Sequence, residues 1–138
     1  MTASPAPAGP TTRPVLLSVD HDQALLLLNA VRSWTVMMNC LTGVGDASDR
    51  DALSSLQETS LELKGLLYAT VNSATGTVLF GYRTLRVARA ALAAHQEAVS
   101  GALRIATPAG SPALGSFLYA ARHLDHLLTE TMTVVLAD

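Results

Sequence analysis

Apolar residues recur at helical spacing along four stretches of this chain. The longest runs from Thr77 to Ala106, where positions seven apart read Val78, Leu85, Leu92, Val99 and Ala106. That period predicts one helix of about seven turns with a single apolar line. Three residues on, the line reads Gly81, Ala88, His95 and Ala102. Small side chains there admit a close neighbour, and one imidazole interrupts them, so His95 needs a partner or a cavity.

The first helix is expected from near Asp20, which has capping-box spacing to Gln23. Ala24 to Leu28 is apolar all round, and Trp34, Met37, Met38, Cys40 and Leu41 extend it until Gly43 and Gly45. Val15 to Val19 reads as a short apolar approach to this helix. A second helix is expected from Ser48, with an inner line Leu53, Leu56, Ser60, Leu63, Leu67 and an outer line Ser55, Glu58, Glu62, fading between Asn72 and Gly76. Ser111-Pro112 opens a fourth, as N-cap and first helical residue, with Leu114, Ala121, Leu128 and Val135 on its apolar line. Strand-like alternation is confined to a weak Thr131–Leu136 tail, and no repeat shows at a period of 20–50 residues. The pattern predicts an all-α, four-helix up-down-up-down bundle over residues 15–138, with a dimer of two intertwined chains as the alternative. Residues 1–14, with prolines at 5, 7, 10 and 14, read as a disordered or surface-laid N-terminal tail.

Composition changes one thing. Hydrophobic residues make up 49% of the 138 and charged residues only 14%, against roughly 25% charged in an average domain. The excess apolar surface predicts a subunit interface, with a homodimer expected, or a ligand cavity. The net charge of −2 and the lack of a basic patch give nucleic-acid binding no electrostatic support. A single cysteine, Cys40, excludes an internal disulfide, and no uninterrupted run reaches the ~18 apolar residues of a membrane span. Residues 1–14 lack the apolar region of a secretory signal. A cytoplasmic protein without a membrane segment is expected. Arginine outnumbers lysine eight to one, which together with the abundant alanine suggests a bacterial, GC-rich coding sequence.

Candidate chemistry centres on His95. Counting heights from the turns sets His95 level with His123 and one turn from Asp125, while Ser60 and Arg89 fall in the same mid-bundle slab. Asp125 could hold His95 in one tautomer for proton transfer, and Ser60 would complete a Ser/His/Asp set. Helix-borne serines, however, lack the strained turn and oxyanion donors of acyl transfer. The competing structural readings are a Ser60 hydroxyl bonded to the Leu56 carbonyl, an Asp125–Arg122 ion pair, and a packed histidine. His123, His126 and Glu130 share a face at metal-ligand spacing, but the Glu-x-x-His pairs of di-iron bundles are missing, so no metal and no cofactor are expected. Glu58 and Glu62 repel at i, i+4 and lie where Arg86 and Arg89 could relieve them. Trp34 reads as a core or pocket residue, and Cys40 as a buried, inert thiol.

Whether the chain is an enzyme stays open at this point. The first reading is a homo-oligomeric bundle that binds an apolar small molecule, or a protein partner, through a pocket lined by His95, with Ser60, Arg89 and Trp34 as further ligand contacts. The second is a cofactor-free isomerase, cyclase or lyase in which His95 and Asp125 move a proton. The third is a metal-dependent bundle enzyme.

Overall fold

A computed structural model describes residues 14–41, 47–73 and 76–136. The elements run β1 (Val15–Ser18), α1 (His21–Leu41), α2 (Ala47–Val71), β2 (Thr77–Phe80), α3 (Tyr82–Ile105) and α4 (Ser111–Val135). The four helices form the expected up-down-up-down bundle. The tail expectation falls outside the described residues except at Pro14, which is exposed, and so do the Ser48 side chain and the glycines after α1.

Two short strands accompany the helices, and the second corrects the expected start of the third helix. Val78 does not begin a helix: Thr77–Phe80 pairs antiparallel with Val15–Ser18, with Val15 opposite Phe80 and Ser18 opposite Thr77. The Val19 amide extends the ladder by donating to the Gly76 carbonyl at 2.7 Å. Each strand is four residues long and its partner lies some sixty residues away, so helical periodicity ran through it unopposed. Conversely, the Thr131–Leu136 alternation is helix up to Val135. Gly76 has φ +61°, and a Cβ there would sit 2.7 Å from the Val19 carbonyl oxygen, so the turn into β2 requires glycine. The ribbon closes one end of the bundle. Val78 and Phe80 are fully buried on its inner side, while Leu16 and Leu79 face each other on the outer side, exposed at 66% and 46%.

The chain repeats one arrangement of elements. Each half is a strand, a short link, and two long helices; the starts of corresponding elements are 61 to 64 residues apart, and 61 is the spacing that aligns buried side chains. Many buried positions coincide. Ala24, Leu27, Val31 and Met38 on α1 match Leu85, Ala88, Leu92 and Val99 on α3, all buried, and Ser60, Leu63 and Leu67 on α2 match Ala121, Leu124 and Leu128 on α4. Polar details coincide too. The Asp20 amide donates to Gln23 Oε1 at 3.0 Å where the Gly81 amide donates to Thr84 Oγ1 at 2.9 Å. Thr70 and Thr131 each donate to the carbonyl four residues back, at 2.9 and 2.7 Å. The sequence carries a trace of this: Leu63, Leu66, Leu67, Thr70 recurs as Leu124, Leu127, Leu128, Thr131. A period of 61 lies beyond the 20–50 residues of ordinary solenoid repeats.

The duplicated core is α1 beside α3, with α2 on α1 and α4 on α3. Each fully buried leucine in it contributes about 1.5–3 kcal/mol by leaving water. α1 is long and apolar enough to cross a membrane by length and composition, but half of its most apolar window is buried inside the bundle. Its buried face ends at Met38, and Cys40 stands about 200° further round the helix. The thiol is therefore exposed, contrary to the buried reading. At α4 the N-cap is Gly110 rather than Ser111, whose hydroxyl points back to the Thr107 carbonyl at 3.2 Å.

Candidate functional site

Duplication would place α1 against α4 as α3 lies against α2. It does so only in part. α2 and α3 pack together, whereas α1 and α4 scarcely touch. Between the first half of α1 and the middle of α4 lies a groove of about 470 Å³, lined by Asp20, Asp22, Gln23, Leu25, Leu26, Asn29, Phe117, Tyr119, Ala120 and His123. Leu26 is buried and Phe117 half-buried in its wall, while Tyr119, 78% exposed, stands at the rim. Its volume is in the range of small-molecule sites, roughly 300–1,000 Å³.

The equivalent position between α2 and α3 is a smaller cleft of about 340 Å³, lined by Trp34, Ser55, Leu56, Thr59, Arg83, Arg86, Val87 and Ala90. Residue by residue, Asp22 corresponds to Arg83, Leu25 to Arg86, Leu26 to Val87, Asn29 to Ala90, Phe117 to Leu56 and Ala120 to Thr59. The same backbone thus builds an acidic, aromatic groove in one place and an arginine-lined cleft in the other. Arg86 lies over the Tyr82 ring, 5.5 Å from its centroid. Neither Arg86 nor Arg89 pairs with Glu58 or Glu62, so the expected interhelical ion pair is not formed among the described residues.

His95 does not line the groove, contrary to expectation, but stands behind Phe117 in its wall. Its ring meets Phe117 edge to face, with centroids 5.1 Å apart at 62°. On its other side it lines a hollow between α1 and α3 with Ala30, Ser33, Trp34, Met37, Ala91, Ala94 and Ala98. Burial pushes the imidazole below its ordinary value, so it is neutral at pH 7. Desolvation is the sole cause; a carboxylate alongside would act the other way. Its counterpart in the repeat is Trp34, which lines the arginine cleft with Leu56. Trp with Leu on one side is matched by His with Phe on the other, an exchange of ring size that roughly conserves volume.

The other anticipated residues are not gathered around His95. Phe117, not His123, is level with His95, which leaves Asp125 two turns further along α4, about 12 Å at 1.5 Å per residue. Equal-height counting treats the link as a point midway between parallel axes, and the 106–110 link is not one. Asp125 is half-buried and forms no ion pair with Arg122. Ser60 is fully buried, but its hydroxyl donates to the Gln57 carbonyl at 2.8 Å and accepts from Thr35 at 3.1 Å, tying α2 to α1. The acceptor is therefore Gln57 rather than Leu56, and the network continues from Gln57 to the Asn39 side chain. Arg89 is half-buried, with a Nε that has no hydrogen-bond partner. His126 and Glu130 form a surface pair at 3.0 Å, whereas His123 lines the groove. Among the described residues no three His, Cys, Asp or Glu side chains come together as metal ligands.

Sequence reasoning passed over Asp22, Asn29, Tyr119 and the groove role of Phe117. The 61-residue repeat held the signal: pairing Asp22 with Arg83 and Phe117 with Leu56 marks where the halves diverge. Comparison with protein-family models, curated proteins and solved structures gave no match.

Proposed function

We propose that this protein binds a small, largely apolar molecule in the groove between α1 and α4. The observation that carries this reading is the gap itself. Of two equivalent helix pairs, α2 and α3 close on each other, while α1 and α4 stand apart around about 470 Å³ walled by Leu25, Leu26, Phe117 and Ala120. An apolar concavity with a few polar groups at one end is the usual form of a ligand site. His95 serves by backing Phe117, a positioning role that needs no protonated state. Ala120→Trp fills the groove from an exposed position on α4 and spares the core. Wild-type protein should enhance the fluorescence of the neutral dye Nile red, and the variant should bind it at least about tenfold more weakly. Equal binding by both proteins overturns the assignment.

Self-association belongs to the same reading. Only 14% of the residues are charged, and the Leu16–Leu79 pair leaves apolar surface on the outer face of the ribbon. Light scattering should give at least twice the 14.4 kDa chain mass. A monomer at micromolar concentration counts against it.

A further inference from the structure

We infer that the α1/α4 groove selects an organic cation, a molecule with an aromatic or aliphatic body and an ammonium group at one end; this rests on the groove being a ligand site. The charged carboxylates lining it are Asp20 and Asp22, and no lysine or arginine does so. Asp20 spends one oxygen, Oδ1, on the Gln23 amide at 2.7 Å. Its second oxygen and the whole Asp22 carboxylate are left for a ligand. Both stand at the N-terminus of α1, whose dipole offsets roughly half a unit of their negative charge. Most of the two charges remains.

The rest of the lining fits the same ligand. Phe117 and Tyr119 are among the lining residues, and aromatic rings attract cations by about 0.5–1 kcal/mol at exposed sites. Leu25, Leu26 and Ala120 offer the apolar body a dry wall. The Asn29 amide and the His123 imidazole add acceptors along the polar side. At the roughly 30 Å³ that a water-sized group occupies, the groove holds about fifteen non-hydrogen atoms.

The duplication supplies the internal contrast. The matching cleft carries Arg83 and Arg86 where the groove carries Asp22 and Leu25. The sign of the site is therefore a property of side chains that the scaffold accepts either way, not a by-product of the fold. An anionic ligand would meet two carboxylates in the groove and two arginines in the cleft.

Three probes that share one body separate charge from apolar affinity: 4-phenylbutylamine, 4-phenylbutanol and 4-phenylbutyrate. They are titrated calorimetrically into the full chain at low ionic strength. The amine should bind about tenfold more tightly than the alcohol, as two carboxylate contacts and an aromatic face together imply. The carboxylate should bind weakest, and added salt should erode the amine's advantage. Asp22→Arg, which installs the residue of the matching cleft at an exposed position, should remove the preference for the amine over the alcohol. Circular dichroism melts of the variant check that it folds. Should the amine and alcohol bind alike, or the carboxylate best, the charge selectivity is wrong while the groove remains a ligand site. Should none of the three bind and Ala120→Trp change nothing, the groove reading itself fails and takes the inference with it.

Discussion

The groove between α1 and α4 and the cleft between α2 and α3 are the same place built twice. In the cleft, Leu56, Thr59 and Ala90 let the helices close, and the arginines flank what space remains. In the groove, Phe117 and Asn29 stand at the equivalent points and the helices stay apart. The comparison teaches that burial and function draw on different positions of one repeat. Leucines at matched core sites hold both halves, and the divergence sits one helical face away, where a change of side chain costs little stability.

The sharpest way to break this comparison is to attack the core of each half. Leu67→Ala and Leu128→Ala remove counterparts that are both fully buried. Each should destabilise by about 2–5 kcal/mol in urea unfolding, and by similar amounts. A Leu128→Ala cost far below that of Leu67→Ala would show that α4 is packed more loosely than its counterpart, and the halves would then not be equivalent.

Next in size is the entry to β2. Gly76→Ala forces a Cβ against the Val19 carbonyl at positive φ and should cost about 1–3 kcal/mol. The effect tests whether the ribbon is integral to the fold. A neutral result would mean that the strand pair is dispensable.

Ser60 sharpens the comparison at lower cost. Its counterpart is Ala121, equally buried. Ser60→Ala makes α2 resemble α4 and leaves Thr35 with the Val31 carbonyl, which its hydroxyl already meets at 2.8 Å. The expected loss is about 0.5–1.5 kcal/mol, one net hydrogen bond. A loss above about 3 kcal/mol would mean that the hydroxyl network, not apolar packing, holds α1 to α2.

The smallest effect is a pH dependence. The folded His95 imidazole has its pKa below the ordinary 6.5, so the unfolded chain takes up this proton first as the pH falls. The contribution of neutral His95 is fully present above pH 6.5 and declines below it, until the folded group protonates too. His95→Leu should match or exceed the wild-type melting temperature at pH 8, because no hydrogen-bond partner is stranded, and should flatten the decline between pH 6.5 and 5. A clearly lower melting temperature at pH 8 would reveal a partner that the Phe117 contact does not account for.

Much of this architecture was legible without coordinates. Four apolar periods gave four helices, Asp20 and Gln23 gave the α1 cap, and the prominence of His95 came from its place among alanines. Those features are local, fixed by neighbours three to seven residues apart. Tertiary structure alone decided the rest. The strands exist because VLLS and TVLF meet across some sixty residues, and neither is long enough to declare itself. His95 faces Phe117 rather than Asp125 because helix crossing, not counting from a turn, sets height. The groove opens at Asp22 and Phe117 because two helices that the repeat could have closed are held apart, and a gap between elements is written in neither element's own period.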